Sequence, residues 1–323
     1  MKAAVYYETG PPEVLRYEDV PDPVCRPGGV LVDVHAVSVE GGDTLNRRAG
    51  EMAARPHIVG YQAAGVIREV GAGVGDRAVG QPVVAIMPHG SHAERVSVPA
   101  GATWVVPEGL DLDHAAAVPI PFGTAHDCLF EFGHLEAGET VLVQAGAGAV
   151  GLACIQLAKR AGATVLATAS SDEKLERLKE FGLDHGINYA TRDFVAAARE
   201  LTGGRGVDLV VDPVGGRTLR GSVEALRYRG RAISVGRAGR DPDPPDLSGL
   251  AAGNKTLTGV FLGAEAAVHP ARVQRMIARL LEEIARGELR VVIDRVFPLA
   301  EAAAAHRYIE SRAAFGRVLL RPR

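Results

Sequence analysis

The run TVLVQAGAGAVGLACIQLAKRAGATVLATASS, residues 140–171, constrains the fold more than any other stretch of this chain. It reads as an apolar strand, a Gly-rich turn, a helix and a second apolar strand, a complete βαβ unit. Gly146, Gly148 and Gly151 fit G-x-G-x-x-G at the place where that spacing has physical meaning. Gly146 permits the tight turn out of the strand. Gly148, without a Cβ, lets a pyrophosphate approach the backbone. Gly151 lets the helix lie close on the strand. The N–H groups that open the helix, at Ala149 and Val150, and the helix dipole then favour a phosphate group. The motif points to a dinucleotide; the plainer alternative is a strand-to-helix turn that binds nothing.

An NAD-preferring site usually carries Asp or Glu at the end of the second strand, about 20 residues past the glycines, to bind the ribose 2′-OH. Here that position falls on Ser170 and Ser171, and Lys174 follows in the next helix. A carboxylate would repel a 2′-phosphate and an ammonium attracts it, so the pattern favours NADPH. Ser170 and Glu173 also fit an S-x-x-E capping box, which leaves Lys174 open to being a solvated helix lysine. Asp172 and Glu173 lie close by and oppose the phosphate reading unless they point away.

A chain of 323 residues with 47% hydrophobic residues suggests two domains with two cores. The net charge of −3 gives no reason to expect nucleic acid or an anionic membrane as partner. Cys25, Cys128 and Cys154 are scattered and lack metal-ligand spacing, which argues for a reducing compartment. The N-terminus shows no signal-peptide core and no apolar run reaches the length of a membrane span. The expected location is the cytoplasm.

Three regions differ in character. Residues 1–120 hold short β-like runs (30–34, 63–70, 82–86 and 92–98) broken by Gly-Gly and Pro. This predicts a small barrel-like β domain. Residues 121–262 alternate strand and helix, with strands expected at 141–145, 165–168, 186–188, 207–211, 232–235 and 257–261. Six such strands predict a doubly wound parallel sheet. Residues 263–323 open with a helix marked by Val273, Ile277, Leu280, Leu281 and Ile284. A strand-like RVVIDRVF, an Ala-rich helix and the strand RVLLR follow.

Taken together, MKAAVYY, GGDTLNRRAG, VGYQAAGVIREVG, VPIPFGTAH, the Gly-rich turn, GLDHGINY, VDLVVDPVGG, GRAISVG and FGRVLL occur in an order and spacing that resembles the medium-chain dehydrogenase/reductase superfamily. The resemblance is to its zinc-free, zeta-crystallin-like quinone oxidoreductase branch. It implies an α/β chain in which a Rossmann domain (121–262) is inserted into a GroES-like β-barrel substrate domain (1–120 and 263–323). It also implies a homodimer, joined through the edge strand at 256–262.

Zinc-dependent relatives hold a catalytic zinc through a Cys, a His-Glu pair and a second Cys. At the matching positions this chain has Glu40, then Tyr61 and Gln62, then Ile120. One carboxylate does not hold zinc, so no metal is expected. His89 and His92, in a short loop where relatives carry a structural-zinc lobe, read as surface or packing residues. The quinone reductase pattern N-x-x-D with a following Tyr also fails: Glu40 replaces the Asn, the Tyr position falls on Leu45 or Asn46, and only Asp43 is retained. Glu40 and Tyr61 are therefore expected to face the reacting groups. Tyr61 would donate a hydrogen bond to a developing oxyanion, and a desolvated Glu40 would hold its proton. The alternative is that Tyr61 fills space and Glu40 bonds backbone or an arginine such as Arg47 or Arg48.

The resemblance further implies that Thr124 approaches the nicotinamide and Tyr189 the 2′-phosphate, the alternative for Tyr189 being an aromatic packed at a strand end on the sheet edge. Val235 and Gly236 would pass the ribose, Phe261 and Leu262 would border the nicotinamide, and Arg317 would reach the cofactor from the C-terminal end, the alternative being a solvated strand arginine. The implied activity is NADPH-dependent reduction of a quinone or an α,β-unsaturated carbonyl compound. The alternatives are an enoyl or alkenal reductase, or a non-catalytic NADPH-binding protein.

Overall fold

The computed structural model describes residues 1–322 and divides the chain into two compact units, Met1–Ile120 with Gly263–Arg323, and Pro121–Leu262. The second unit is built on six strands: Thr140–Val143, Thr164–Ala169, His185–Asn188, Val207–Asp212, Leu226–Ser234 and Thr256–Gly259. All pair in parallel, in the spatial order third, second, first, fourth, fifth, sixth. The switch point falls beside the first strand, where the chain leaves for one flank of the sheet and later returns to the other. The central strands are apolar on both faces, as Val141, Leu142, Val143, Leu209, Val210 and Val211 are all fully buried. That is the signature of a sheet covered by helices on both sides.

The sixth strand stops at Gly259, short of the expected end, and Phe261 and Leu262 lie beyond it. A helix, Leu262–Val268, follows at once, because LGAEAAV favours helix. The fifth strand is longer than its apolar core suggested and begins at Leu226.

In the other unit the strands do not close into a barrel among the described residues, contrary to expectation. A seven-stranded sheet and a separate three-stranded sheet are formed instead. The long strand Gly29–Ser38 organises the larger sheet. One edge pairs with Gln62–Val70; the other is shared by two shorter strands, Arg95–Pro99 at its start and Arg317–Arg321 at its end. The end strands, Ile293–Pro298 and Thr103–Val105, do not pair with each other among the described residues, so the sheet is open. The predicted strand at 92–98 begins only at Arg95, since Ala93 forms a lone bridge to Ala3.

The helix Pro270–Ala285 starts on a proline, which suits its first turn, and buries Val273, Ile277, Leu280 and Leu281 at helical spacing. Each such side chain contributes about 1.5–3 kcal/mol by leaving water. A bond from Trp104 Nε1 to the Gln274 carbonyl, 3.0 Å, ties this helix to the strand Thr103–Val105.

Candidate active site

The Gly-rich turn follows the first strand of the parallel sheet and leads into the helix Ala149–Arg160. Its left-handed residue is Ala145, at φ 52°, and not Gly146. Gly146 is required for a different reason. A Cβ there would lie 2.8 Å from Ala167 and 3.1 Å from Leu178, so the turn could not rest on the second strand. Gly151 acts as expected: a Cβ would collide with the Ala145 carbonyl and lie 2.7 Å from the Gly146 backbone. Gly148 caps the helix and is exposed, with Ala149 and Val150 half-buried behind it. The first-turn amides of a helix have no acceptor inside it, so this end offers N–H groups to a ligand.

Ser170 directly follows the second strand, and the cap of the following helix is Ser171. Its hydroxyl accepts the Lys174 N–H at 3.4 Å, one residue later than the capping box expected at Ser170. Asp172 accepts a bond from Asn188 Nδ2 at 3.1 Å, and the Ser171 hydroxyl holds the Glu173 carboxyl below its usual range. Both carboxylates are thus engaged at the start of their own helix. Tyr189 donates its backbone N–H to the Ala169 carbonyl at 3.1 Å and is 43% exposed.

A groove of about 330 Å³ opens at the carboxyl ends of the fifth and sixth strands. Ser234, Val235, Gly236, Val260 and Phe261 line it, so three of the expected ribose and nicotinamide contacts come together. The Phe261 ring is 74% exposed, whereas Leu262 is buried as it opens its helix. Gly215 and Gly216 make the turn after the fourth strand at φ 76° and 55°. Thr124 is buried in the helix Pro119–His126.

Glu40, Asp43, Tyr61 and Arg317 lie in the other unit. Glu40 precedes the helix Gly41–Ala49, and Asp43 in its first turn accepts the Glu40 N–H at 2.8 Å. Arg317 grips both Glu40 carboxylate oxygens, one of them at 3.0 Å from Nη1. The same guanidinium donates to the Ser38 hydroxyl (2.9 Å from Nε) and the Val39 carbonyl (2.9 Å). Burial pushes the Glu40 carboxyl up, and Arg317 and Ser38 pull it back. The arginine partner is therefore neither Arg47 nor Arg48. Arg47 is fully buried and pairs with Glu310 at 2.6 Å. Arg317 is correspondingly neither a solvated strand arginine nor a side chain free to reach a cofactor; its donors hold Glu40.

Gln62 Nε2 donates to Glu40 at 3.1 Å, and Gln62 Oε1 accepts the Ile120 N–H at 2.6 Å. Gln62 thus links Glu40 to the backbone at Ile120. Tyr61 packs its hydroxyl against Gly42, where no Cβ fits. Burial, then the charges of Asp43 and Glu40, push its phenol well above the usual range. Burial raises Asp43 likewise. His92 is buried, with Nε2 3.1 Å from His306 Nε2, and His89 is exposed.

Sequence reasoning missed the Arg317 partnership and a polar network of Gln144, Thr168, Asp212 and Ser222 behind the Gly-rich turn. A usable signal was present. Gln144 directly follows the apolar run Val141–Val143 and Asp212 closes the apolar run Leu209–Val211; both are buried, where a polar side chain must find a partner.

A family model described as the alcohol dehydrogenase GroES-like domain matches residues 26–108, and one described as zinc-binding dehydrogenase matches residues 149–318. The 2-haloacrylate reductase of Burkholderia sp is 35% identical over 338 residues, covering 99% of this chain and 98% of that protein. A mycobacterial protein solved in complex with NADPH gives a TM-score of 0.94 at 35% identity, over 100% of both chains. The quinone oxidoreductase of Escherichia coli, complexed with NADPH, gives 0.94 at 27% identity, again over 100% of both.

The side chains at hand do not fit the zinc that the second description implies. Glu40 is already neutralised by a guanidinium, and Gln62 is bonded to Glu40 and to backbone. Among the described residues no three His, Cys, Asp or Glu side chains group as metal ligands.

Proposed function

We propose that this chain, which belongs to the medium-chain dehydrogenase/reductase superfamily, is an NADPH-dependent oxidoreductase that reduces a quinone or an α,β-unsaturated carbonyl compound without a metal. The observation that carries the reading is the exposed, Gly148-capped helix at the switch point of the parallel sheet. There, backbone N–H groups and the helix dipole converge behind an exposed glycine that carries no side chain. The names of the relatives support the substrate class: one reduces a 2-haloacrylate, another a quinone, and two of the matched structures hold NADPH.

In this reading unit Pro121–Leu262 is the cofactor domain and the other unit the substrate domain. Gly148, Ala149 and Val150 receive the pyrophosphate, on a turn that Gly146 and Gly151 allow to pack closely. Ser170, Lys174 and Tyr189 receive the 2′-phosphate. Val235, Gly236, Phe261 and Leu262 border the ribose and nicotinamide, with Thr124 close by. When bound, NADPH supplies the hydride. The protein orients the partners and meets the developing negative charge with hydrogen-bond donors, Tyr61 foremost. Glu40 shapes that region through its bonds to Arg317 and Gln62 and takes no part as an acid. Asp43 anchors the start of the helix that carries the site.

The chain acts in the cytoplasm as a homodimer. The buried free thiols of Cys128 and Cys154 support a reducing compartment, and no described helix is long and apolar enough to cross a membrane.

The test is steady NADPH oxidation with a panel of quinones and enones. Turnover with at least one of them is expected. Tight NADPH binding without accelerated oxidation of it identifies a binding protein and overturns the reading. For cofactor choice, Lys174→Ala is expected to weaken NADPH and leave NADH unchanged.

A further inference from the structure

We infer that Thr168, Gln144, Ser222 and Asp212 form one directional hydrogen-bond chain that holds the Gly-rich turn in the shape a dinucleotide needs. The binding consequence rests on the proposed function; the chain itself does not. All four side chains are at most 2% exposed. They come from the second strand, the end of the first, the helix Gly216–Ala225 and the fourth strand. Thr168 Oγ1 donates to Gln144 Oε1 at 2.7 Å, Gln144 Nε2 to Ser222 Oγ at 3.2 Å, and Ser222 Oγ to Asp212 Oδ2 at 2.8 Å.

The carboxylate sets every direction in the chain. Asp212 only accepts, so the Ser222 proton points to it and the Ser222 lone pair faces Gln144. Gln144 must then present its amide nitrogen to Ser222 and its oxygen to Thr168. Thr168 gives its proton to that oxygen, which leaves its own lone pair for the Ala145 N–H, at 3.1 Å. The Thr168 carbonyl takes the next amide, Gly146 N–H, at 2.8 Å. Two consecutive amides are thus held at the residue whose φ of 52° a side chain rarely adopts. Such a backbone persists only where its surroundings hold it.

The other carboxylate oxygen does the same for a second loop. Asp212 Oδ1 accepts the N–H of Val214 at 2.7 Å and of Gly215 at 2.9 Å. Asp212 therefore couples the Gly-rich turn to the turn after the fourth strand. None of the four is named above as touching the cofactor; they are positioning residues.

Asp212→Asn tests this at the far end of the chain. An amide there offers Ser222 a donor where it needs an acceptor, and the directions no longer agree. Thr168→Val removes the hydroxyl and keeps the shape, and Thr168→Ser restores it. Amide hydrogen exchange at Ala145 and Gly146 is read in the protein without ligand, and KM for NADPH and kcat are read with a quinone. In Asp212→Asn and Thr168→Val, exchange at both amides is expected to rise at least about tenfold. KM for NADPH is expected to rise on the order of tenfold, with kcat at saturation within about twofold and Thr168→Ser close to wild type. Unchanged exchange in Asp212→Asn overturns the inference, and so does a fall in kcat at constant KM, which a loss of folded protein gives. If Asp212→Asn does not fold, Ser222→Ala breaks the same chain one link nearer the turn. Wild type that fails to bind NADPH overturns the proposed function alone, since the exchange measurement needs no cofactor.

Discussion

Glu40 and Tyr61 share a locality but are held differently. Glu40 is held by Arg317 from one side and Gln62 from another. Glu40→Gln leaves a buried guanidinium without its counter-charge, a loss of about 3–5 kcal/mol in comparable cases. The expected outcome is a large drop in the denaturation midpoint, much of it recovered in the double variant Glu40→Gln with Arg317→Met. A catalytic acid would instead show normal stability and an altered pH–rate profile. Tyr61 keeps its proton across the working range, because burial and two neighbouring carboxyls raise its phenol. Tyr61→Phe should lower kcat and kcat/KM together, with NADPH affinity unchanged. The loss reaches about 100-fold where water is excluded and only a few-fold where solvent donates instead. Unchanged rates on quinone and enone alike would show Tyr61 to be packing. The sequence exposed these residues as departures from the family pattern, since nothing else explains a Glu and a Tyr there. It could not name the partner of Glu40. Arg317 lies 277 residues away, and only the pairing of Leu319 with Ser38 brings it in.

At the scale of the element, the edge strand Thr256–Gly259 sets the expectation for assembly. Val260 gives its N–H to Ser234 at 2.9 Å, so a proline at 260 would break a bond inside the chain. Residues on a parallel strand alternate between the two edges, so Leu257 and Gly259 offer their backbone groups outward. Gly259 has open space around it. Gly259→Pro removes an outward donor only, and it should convert a dimer to monomer at micromolar concentration in sedimentation. A wild type that is already monomeric rules the dimer out. The strands of this sheet were legible because each is an apolar run closed by turn residues and separated by a helical pattern. Strand ends were less so: Phe261 looks like strand and is not, since the helix at Leu262 claims its neighbours. The Gly-rich turn was legible as a motif, but which residue takes the left-handed φ was not. That falls on Ala145, because Thr168 rather than glycine holds it.

For the molecule as a whole, pH stability reflects buried histidines. Burial holds His92 down at about 3, and burial, His92 and Arg47 hold His306 well below its ordinary range. Both stay neutral when folded, while the unfolded chain takes up protons below about pH 6.5. Their contribution is present above that pH and is lost as pH falls towards 3, by up to about 1.4 kcal/mol per unit for each histidine. His92→Gln should flatten the decline in urea midpoint between pH 6.5 and 4.5; an identical slope would contradict the account. The open sheet of the larger unit is the feature the sequence hid most fully. Alternating apolar runs predict strands, but whether the end strands meet is a long-range pairing that no local pattern carries.

The central claim is hydride transfer from NADPH without a metal. NADPH deuterated at the transferable C4 position, an enone and chelator-treated protein test it in one reaction, with the product read by mass spectrometry. The account predicts one deuterium on the β-carbon of the product and a rate unaffected by the chelator. A product without deuterium, or activity that vanishes with the chelator and returns with zinc, would contradict it.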